Sequence, residues 1–424
     1  MPRKRTALLC AALLISAPLL ATSAAHADSR SFGSGSASSG SRQGRPDCVA
    51  SSADRAADSR ARAVQDVVAG LRNDLKLQAV EVRVTQDGRD VWTGALGPSM
   101  TGVPATPAMR FRAGSVGIAF MNVILMQLAD EHRVGLDDPV SRWLPTVPNA
   151  DKITLRMLAD ATSGIRDYVK DTGFQTDLLA HPFKQWTPQE LLAIANPSVL
   201  LYPPGKNFSY SHANYVLLGA ALEQITHTRL DRLLAQRIYR PYGLRSTSNG
   251  YTPDIPAPVL HAFTSGRGTY EESTFWNPSW TTAPGAVITM DVCDLARSGA
   301  GIGSGATLSR QGYQTLLNPG TVGLGTPQPY TQGGDCPVTI CIPQTEAAHF
   351  GMGAIVVNGW VFQNPSFTGY AALMAYLPSQ HLSIAVSVTD SPDTSPDLVN
   401  PGMNIAAAIS RVLVPDNPLT FGPF

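Results

Sequence analysis

Segments with strand character stand at both ends of this chain, and helical patterns lie between them. Near the start, QAVEVRVTQDGRDVWTGALG alternates apolar and polar residues and turns at Asp87-Gly88, which predicts a β-hairpin. Near the end, GMGAIVVNGWVF, TGYAALMAYLP and HLSIAVSVTD read as three consecutive strands. A helix near Ala61–Leu77 precedes the hairpin, with Ala63, Val64, Val67, Val68 and Leu71 at helical spacing, and Met403–Val414 reads as a closing helix. A long helical run extends from Ser115 to about Arg133. Residues 134–284 are rich in Pro and in short helical patterns such as Asn214–Ile225 and Leu230–Ile238. This order does not suit a repeating βαβ chain. It predicts an α+β fold, in which both chain ends build one antiparallel sheet flanked by terminal helices and carrying a large helical insertion. The α/β part is placed at about 59–112 and 285–418, and the helical part at about 113–284.

The 424 residues are 43% apolar and 15% charged, with 32 basic against 32 acidic side chains, which suits a globular core and neither a disordered chain nor a nucleic-acid binder. The first 27 residues carry Arg3, Lys4 and Arg5, an apolar run from Ala7 to Ala21, and the small-x-small triplet Ala25-His26-Ala27. Together these predict a signal peptide and a secreted protein with no membrane span. Its removal leaves 29 basic against 32 acidic residues, so no polyanionic partner is expected. Residues 28–58 read as a Ser/Gly-rich disordered leader. Four cysteines remain after processing. Cys336 and Cys341 flank only Pro-Val-Thr-Ile, which suits a closed loop and leaves Cys48 to pair with Cys293; free buried thiols are the alternative. No Cys-x2-Cys or His-x3-His spacing accompanies them, so no metal is expected, and no cofactor either. Gly-x-Ser-x-Gly, Gly-x-x-x-x-Gly-Lys and His-Glu-x-x-His are absent from the sequence.

The stretch FRAGSVGIAFMNVILMQLADEHRVGLDDPVSRWLP resembles the nucleophile helix of the serine β-lactamase, DD-carboxypeptidase and esterase superfamily, in its class C-like branch. ATSGIRDY, YPPGKNFSYSHANYVLLGAALEQIT, PYGLRST and TGYAALMAYLP follow in the matching order, so the resemblance covers roughly residues 60–413. It implies a β-lactamase/penicillin-binding-protein-like fold with the site between the sheet edge and the helical insertion. It also implies acyl-enzyme chemistry on D-Ala-D-Ala peptides, β-lactams or small esters.

Three motifs carry that chemistry in the family, and each is altered here. The first is Ser-x-x-Lys at a helix start, where three-residue spacing puts the base beside the nucleophile. The present segment is Ser115-Val116-Gly117-Ile118, so the serine is kept and the base position holds an alkyl chain. The second is Tyr-x-Asn, replaced by Tyr210-Ser211-His212. A phenol with an ordinary pKa of about 10 is almost wholly protonated at pH 7 unless a cation lowers it. The third is a sheet-edge Lys-Thr-Gly or His-x-Gly that binds the substrate carboxylate. Counting back from Gly369-Tyr370 places Gln363-Asn364-Pro365 there, and all six lysines of the chain lie at or before Lys206.

The expected catalytic candidates are therefore Ser115, Tyr210 and His212, and the expected substrate-binding residues are Gln363, Asn364 and Ser366, with the Ser115 and Ser366 amides as an oxyanion pair. Ser115 could equally be an N-cap, Tyr210 a half-buried aromatic, and His212 a structural histidine. Asp160, Arg166 and Asp167 are read as loop-fixing or solvated. The expectation is a catalytically impaired relative that binds a small peptide, ester or β-lactam-like ligand, with peptidoglycan as a candidate partner. The competing reading is an active esterase or peptidase in which His212 or Tyr210 serves as base for Ser115.

Overall fold

The computed structural model describes residues 48–52, 58–331 and 334–424. The segments expected to be a signal peptide and most of a leader lie outside the described residues. Helix α1 (Ser59–Asp74) begins where Asp58 accepts the amides of Arg60 and Ala61, and it buries Ala61, Val64 and Val68. The first hairpin follows as β1 (Leu77–Gln86) and β2 (Arg89–Leu96), turning at Asp87-Gly88. The long apolar run forms α2 (Val116–Asp130), whose residues Val116 to Leu128 are all buried. A helix that is apolar on every side belongs in the interior, and α2 is the central helix of the insertion. Helix α3 (His212–Thr226) packs against α2, and the short helix Leu155–Ala159 packs against α3.

Helix α4 (Val292–Gly303) returns the chain to the sheet. Strands β3 (Ala348–Phe350), β4 (Ile355–Val357), β5 (Trp360–Gln363), β6 (Ser366–Phe367), β7 (Tyr370–Leu377) and β8 (Leu382–Asp390) follow, then α5 (Pro401–Leu413). The sheet order is β3-β4-β5-β7-β8-β1-β2, antiparallel throughout, with β6 beside β7. The two chain ends therefore meet at the β1–β8 seam, with Val82 opposite Val386. Helices α1 and α5 pack together along this sheet, and α4 packs against β1, β7 and β8.

Two readings of the sequence are corrected. GMGAIVVNGWVF is not one strand but the hairpin β4–β5, because Asn358 (φ 48°) and Gly359 (φ 83°) form its two-residue turn and Val357 pairs with Trp360. The leader does not extend to residue 58. Cys48 is buried, and the Ser51 amide donates to the Thr93 carbonyl of β2 while its hydroxyl donates to Asp90. Both disulfides are present, Cys48–Cys293 and Cys336–Cys341.

Candidate active site

A cavity of about 380 Å³ opens where the start of α2, the start of α3 and the edge of the sheet converge. Ser115, Tyr210, His212, Gln363, Asn364 and Ser366 all line it, so the residues singled out by motif stand around one space.

Ser115 precedes α2 with helical backbone angles (φ −63°, ψ −5°), and its side chain caps no amide. The first amides of the helix are already satisfied by short turns: Val116 donates to Ala113, Gly117 to Gly114, and Ile118 to Ser115. The hydroxyl is thereby left for the cavity. Gly114 (φ 41°) makes the approach possible, since a Cβ there would stand 3.0 Å from the Pro365 side chain. One turn further on, Ile118 has no solvent exposure and does not line the cavity. Its alkyl chain is core.

Tyr210 packs edge-on against His212 and Phe350 and tilts on Tyr215, with ring centroids 5.1, 5.7 and 5.6 Å away. Burial raises its pKa above that of an ordinary phenol; a hydrogen bond with Ser115 acts in the other direction and Asp167 adds to the rise. The phenol is a neutral partner of the serine at physiological pH.

His212 is the first residue of α3, and its ring also lines the cavity. Its Nδ1 lies 3.1 and 3.2 Å from the two carboxylate oxygens of Asp167, and its amide donates to the same carboxylate. Asp167 also accepts the Val169 amide. A carboxylate at Nδ1 holds the proton there and leaves Nε2 as an acceptor. Of the two readings of Asp167, loop-fixing holds and solvated does not: its side chain is 5% exposed, it accepts the amides of Val169 and His212, and it also orients the imidazole. The Ser211 hydroxyl donates to the Arg166 carbonyl, which clamps the 163–168 turn to the start of α3. Asp160 is buried below this turn and bonds the amide and hydroxyl of Thr162.

The sheet edge is closed rather than charged. Gln363 is buried at the end of β5 and its amide donates to the Gly353 carbonyl at 2.6 Å. Pro365, which has no N–H, separates β5 from β6. Asn400 pins this break by donating to the carbonyls of Asn364, Pro365 and Ala372. Asn364 donates to the Met403 sulfur at 3.5 Å. Ser366 is exposed and pairs with Ala371.

Motif reading missed the rest of the wall. Lys170 enters from the same turn as Asp167, and Thr339, Ile340 and Ile342 come from the Cys336–Cys341 loop and its exit. No motif marks these residues; only the contiguity of Lys170 with the SGIRDY segment offered a signal.

The sequence pattern of the Beta-lactamase family matches residues 64–408. A Bacillus subtilis protein provisionally named penicillin-binding protein PbpX is 25% identical over 239 residues, covering 54% of this chain and 57% of its own. A Salmonella paratyphi A protein provisionally named D-alanyl-D-alanine carboxypeptidase is 30% identical over 155 residues, covering 34% of this chain and 36% of its own. The matched region therefore spans about half or less of these curated relatives. Among solved structures, a D-stereospecific amidohydrolase from Streptomyces superposes with a TM-score of 0.65 at 25% identity, covering 78% of this chain and 94% of the other. The D-amino acid amidase of Ochrobactrum anthropi SV3 superposes with a TM-score of 0.68 at 19% identity, over 84% and 98%, and so shares the fold.

Proposed function

The chain belongs to the beta-lactamase family, a family of serine hydrolases, and from that premise we propose that it is an exported, catalytically impaired member that holds a small ligand without turning it over efficiently. The observation that carries this reading is Ile118, fully buried in the place of the general base. Without a base, the side-chain partner of Ser115 among the described residues is a phenol whose pKa is raised, so proton removal from the serine is costly. Losing a positioned general base costs about 10² to 10⁴ in rate. Gln363, already committed to Gly353, offers no charge to a substrate carboxylate, and Pro365 offers no amide. The intact cavity favours binding as the remaining role.

Names of the relatives point to peptide and amide ligands, and peptides of the cell wall ending in D-Ala-D-Ala are the first to try. Export fits the predicted signal peptide and the two disulfides, and no described helix is long and apolar enough to cross a membrane. The test is calorimetry with a muropeptide carrying a D-Ala-D-Ala end, alongside chromatography for released D-alanine. Saturable binding with release no faster than in Ser115→Ala supports the reading. Serine-dependent release at the rate of an ordinary carboxypeptidase refutes it.

A second reading is favoured by one observation, the Asp167 carboxylate on His212 Nδ1. In this reading the dyad supplies Ser115 with a base and the protein is a slow esterase. Hydrolysis of p-nitrophenyl acetate would then vanish in both Ser115→Ala and His212→Ala, and the double variant would lose little more. A rate unchanged by His212→Ala eliminates it.

A further inference from the structure

The charged anchor missing from the sheet edge has a counterpart elsewhere on the cavity wall. Among the described residues lining the cavity, Lys170 is the sole lysine or arginine. It is exposed at the end of the turn that begins with Asp167, and it forms no ion pair with the described residues. The nearest acidic side chains on that turn are both engaged: Asp167 with His212 and with the Val169 amide, Asp171 with the Phe174 amide. The ammonium is therefore available to an anionic group entering the mouth.

Two further surfaces of the cavity are specific in chemistry. With its proton held on Nδ1 by Asp167, His212 presents Nε2 as an acceptor, which suits an amide N–H of a ligand. Beyond it the wall is apolar, formed by Phe208, Phe350, Ile340 and Ile342. The disulfide fixes this part. Ile340 packs on the Cys336–Cys341 cluster with Leu201 and Tyr202, and the Asn207 amide bridges the Thr326 carbonyl and the Cys341 sulfur. A volume of about 380 Å³ with such walls has room for an aromatic side chain.

We propose that the cavity takes an N-acylated amino acid or short peptide with a large apolar side chain, whose carboxylate is read by Lys170 on the 167–170 turn instead of at the sheet edge. His212 Nε2 accepts the ligand amide, and the disulfide-held isoleucines receive the side chain. The inference rests on the binding role given above and names its ligand class.

Calorimetry on the full chain with N-acetyl-D-phenylalanine, its carboxamide, and N-acetyl-D-alanine tests it. The acid should bind about fivefold tighter than the carboxamide, the increment of an ion pair near the surface. It should bind about tenfold or more tighter than the alanine analogue, the increment of a buried aromatic side chain. Lys170→Ala, at an exposed position where folding is undisturbed, should erase the difference between acid and carboxamide while leaving carboxamide affinity unchanged. Equal affinity of acid and carboxamide, an undiminished difference in Lys170→Ala, or no saturable binding of the acid would each overturn the proposal. Serine-dependent turnover of a muropeptide with the Lys170 effect intact would sink only the impaired-enzyme reading. Lys170 insensitivity with no turnover would sink only this one.

Discussion

Ile118 stands one helical turn from Ser115 with none of its surface exposed, and a lysine there would have to bring an ammonium into a site shaped for an alkyl chain. Ile118→Lys should accordingly lower stability by about 3 kcal/mol or more, read as a drop in Tm, because a buried unpaired charge is costly. It should raise Ser115 reactivity toward a β-lactam only weakly, since Gln363 and Pro365 still offer the ligand no charge and no amide. Restoration to the rate of an intact family member would contradict the account of a doubly altered site. At this scale the sequence was readable wherever both members of a pair lie on one element. Ser115 and Ile118 are three residues apart and their relation follows from helix geometry alone. Asp167 and His212 are separated by 45 positions, and only the clamp between the 163–168 turn and α3 brings them together. No periodicity announces a pair of that kind, which is why Asp167 reads only as a loop-fixing or solvated residue and not as the partner of His212.

Elements were legible where one period dominated: the β1–β2 hairpin, α2, β7, β8 and α5 all lie close to where the pattern puts them. The β4–β5 hairpin was hidden because GMGAIVVNGWVF is nearly continuous in apolar residues, so the turn at Asn358-Gly359 was masked by strands buried on both faces. The short helix ending at Asp160 carries a pH dependence that its sequence does not reveal. Burial pushes the Asp160 carboxyl up to about 7 despite its bonds from Thr162. A pKa higher in the folded chain than in the unfolded one means that the folded state binds more protons between about pH 4 and 7. This contribution to stability is complete below about pH 4 and is lost as the pH rises through 7. Asp160→Asn keeps an acceptor for Thr162 and removes the ionisation. It should flatten the fall in Tm between pH 4 and 8, with the variant more stable than wild type at pH 8 and little changed at pH 4. Parallel Tm profiles would contradict this.

Across the whole molecule, assembly of one sheet from both chain ends was legible in the strand-helix-strand order, and the structure joins the ends at the β1–β8 seam. The Cys48–Cys293 tie to α4 followed from the cysteine count, but the pairing of Ser51 with β2 did not, because nothing local marks Ser51 as a partner of Thr93 and Asp90. The two disulfides act on different scales. Cys48–Cys293 spans 245 residues and Cys336–Cys341 spans 5, so loop-closure entropy favours the first strongly. Cys48→Ser/Cys293→Ser should cost on the order of 2–5 kcal/mol in chemical denaturation, whereas Cys336→Ser/Cys341→Ser should cost less and loosen chiefly the loop bearing Ile340. Equal losses would contradict that division. A family fold kept whole around an altered site is what a binding descendant requires, and an active enzyme requires the same core; stability measurements cannot separate them. Covalent labelling can. Wild type and Ser115→Ala, incubated with a fluorescent fluorophosphonate and with a labelled penicillin and read by intact mass, should be equally and only marginally modified. Stoichiometric labelling of wild type that disappears in Ser115→Ala would contradict the central claim that this site no longer activates its serine.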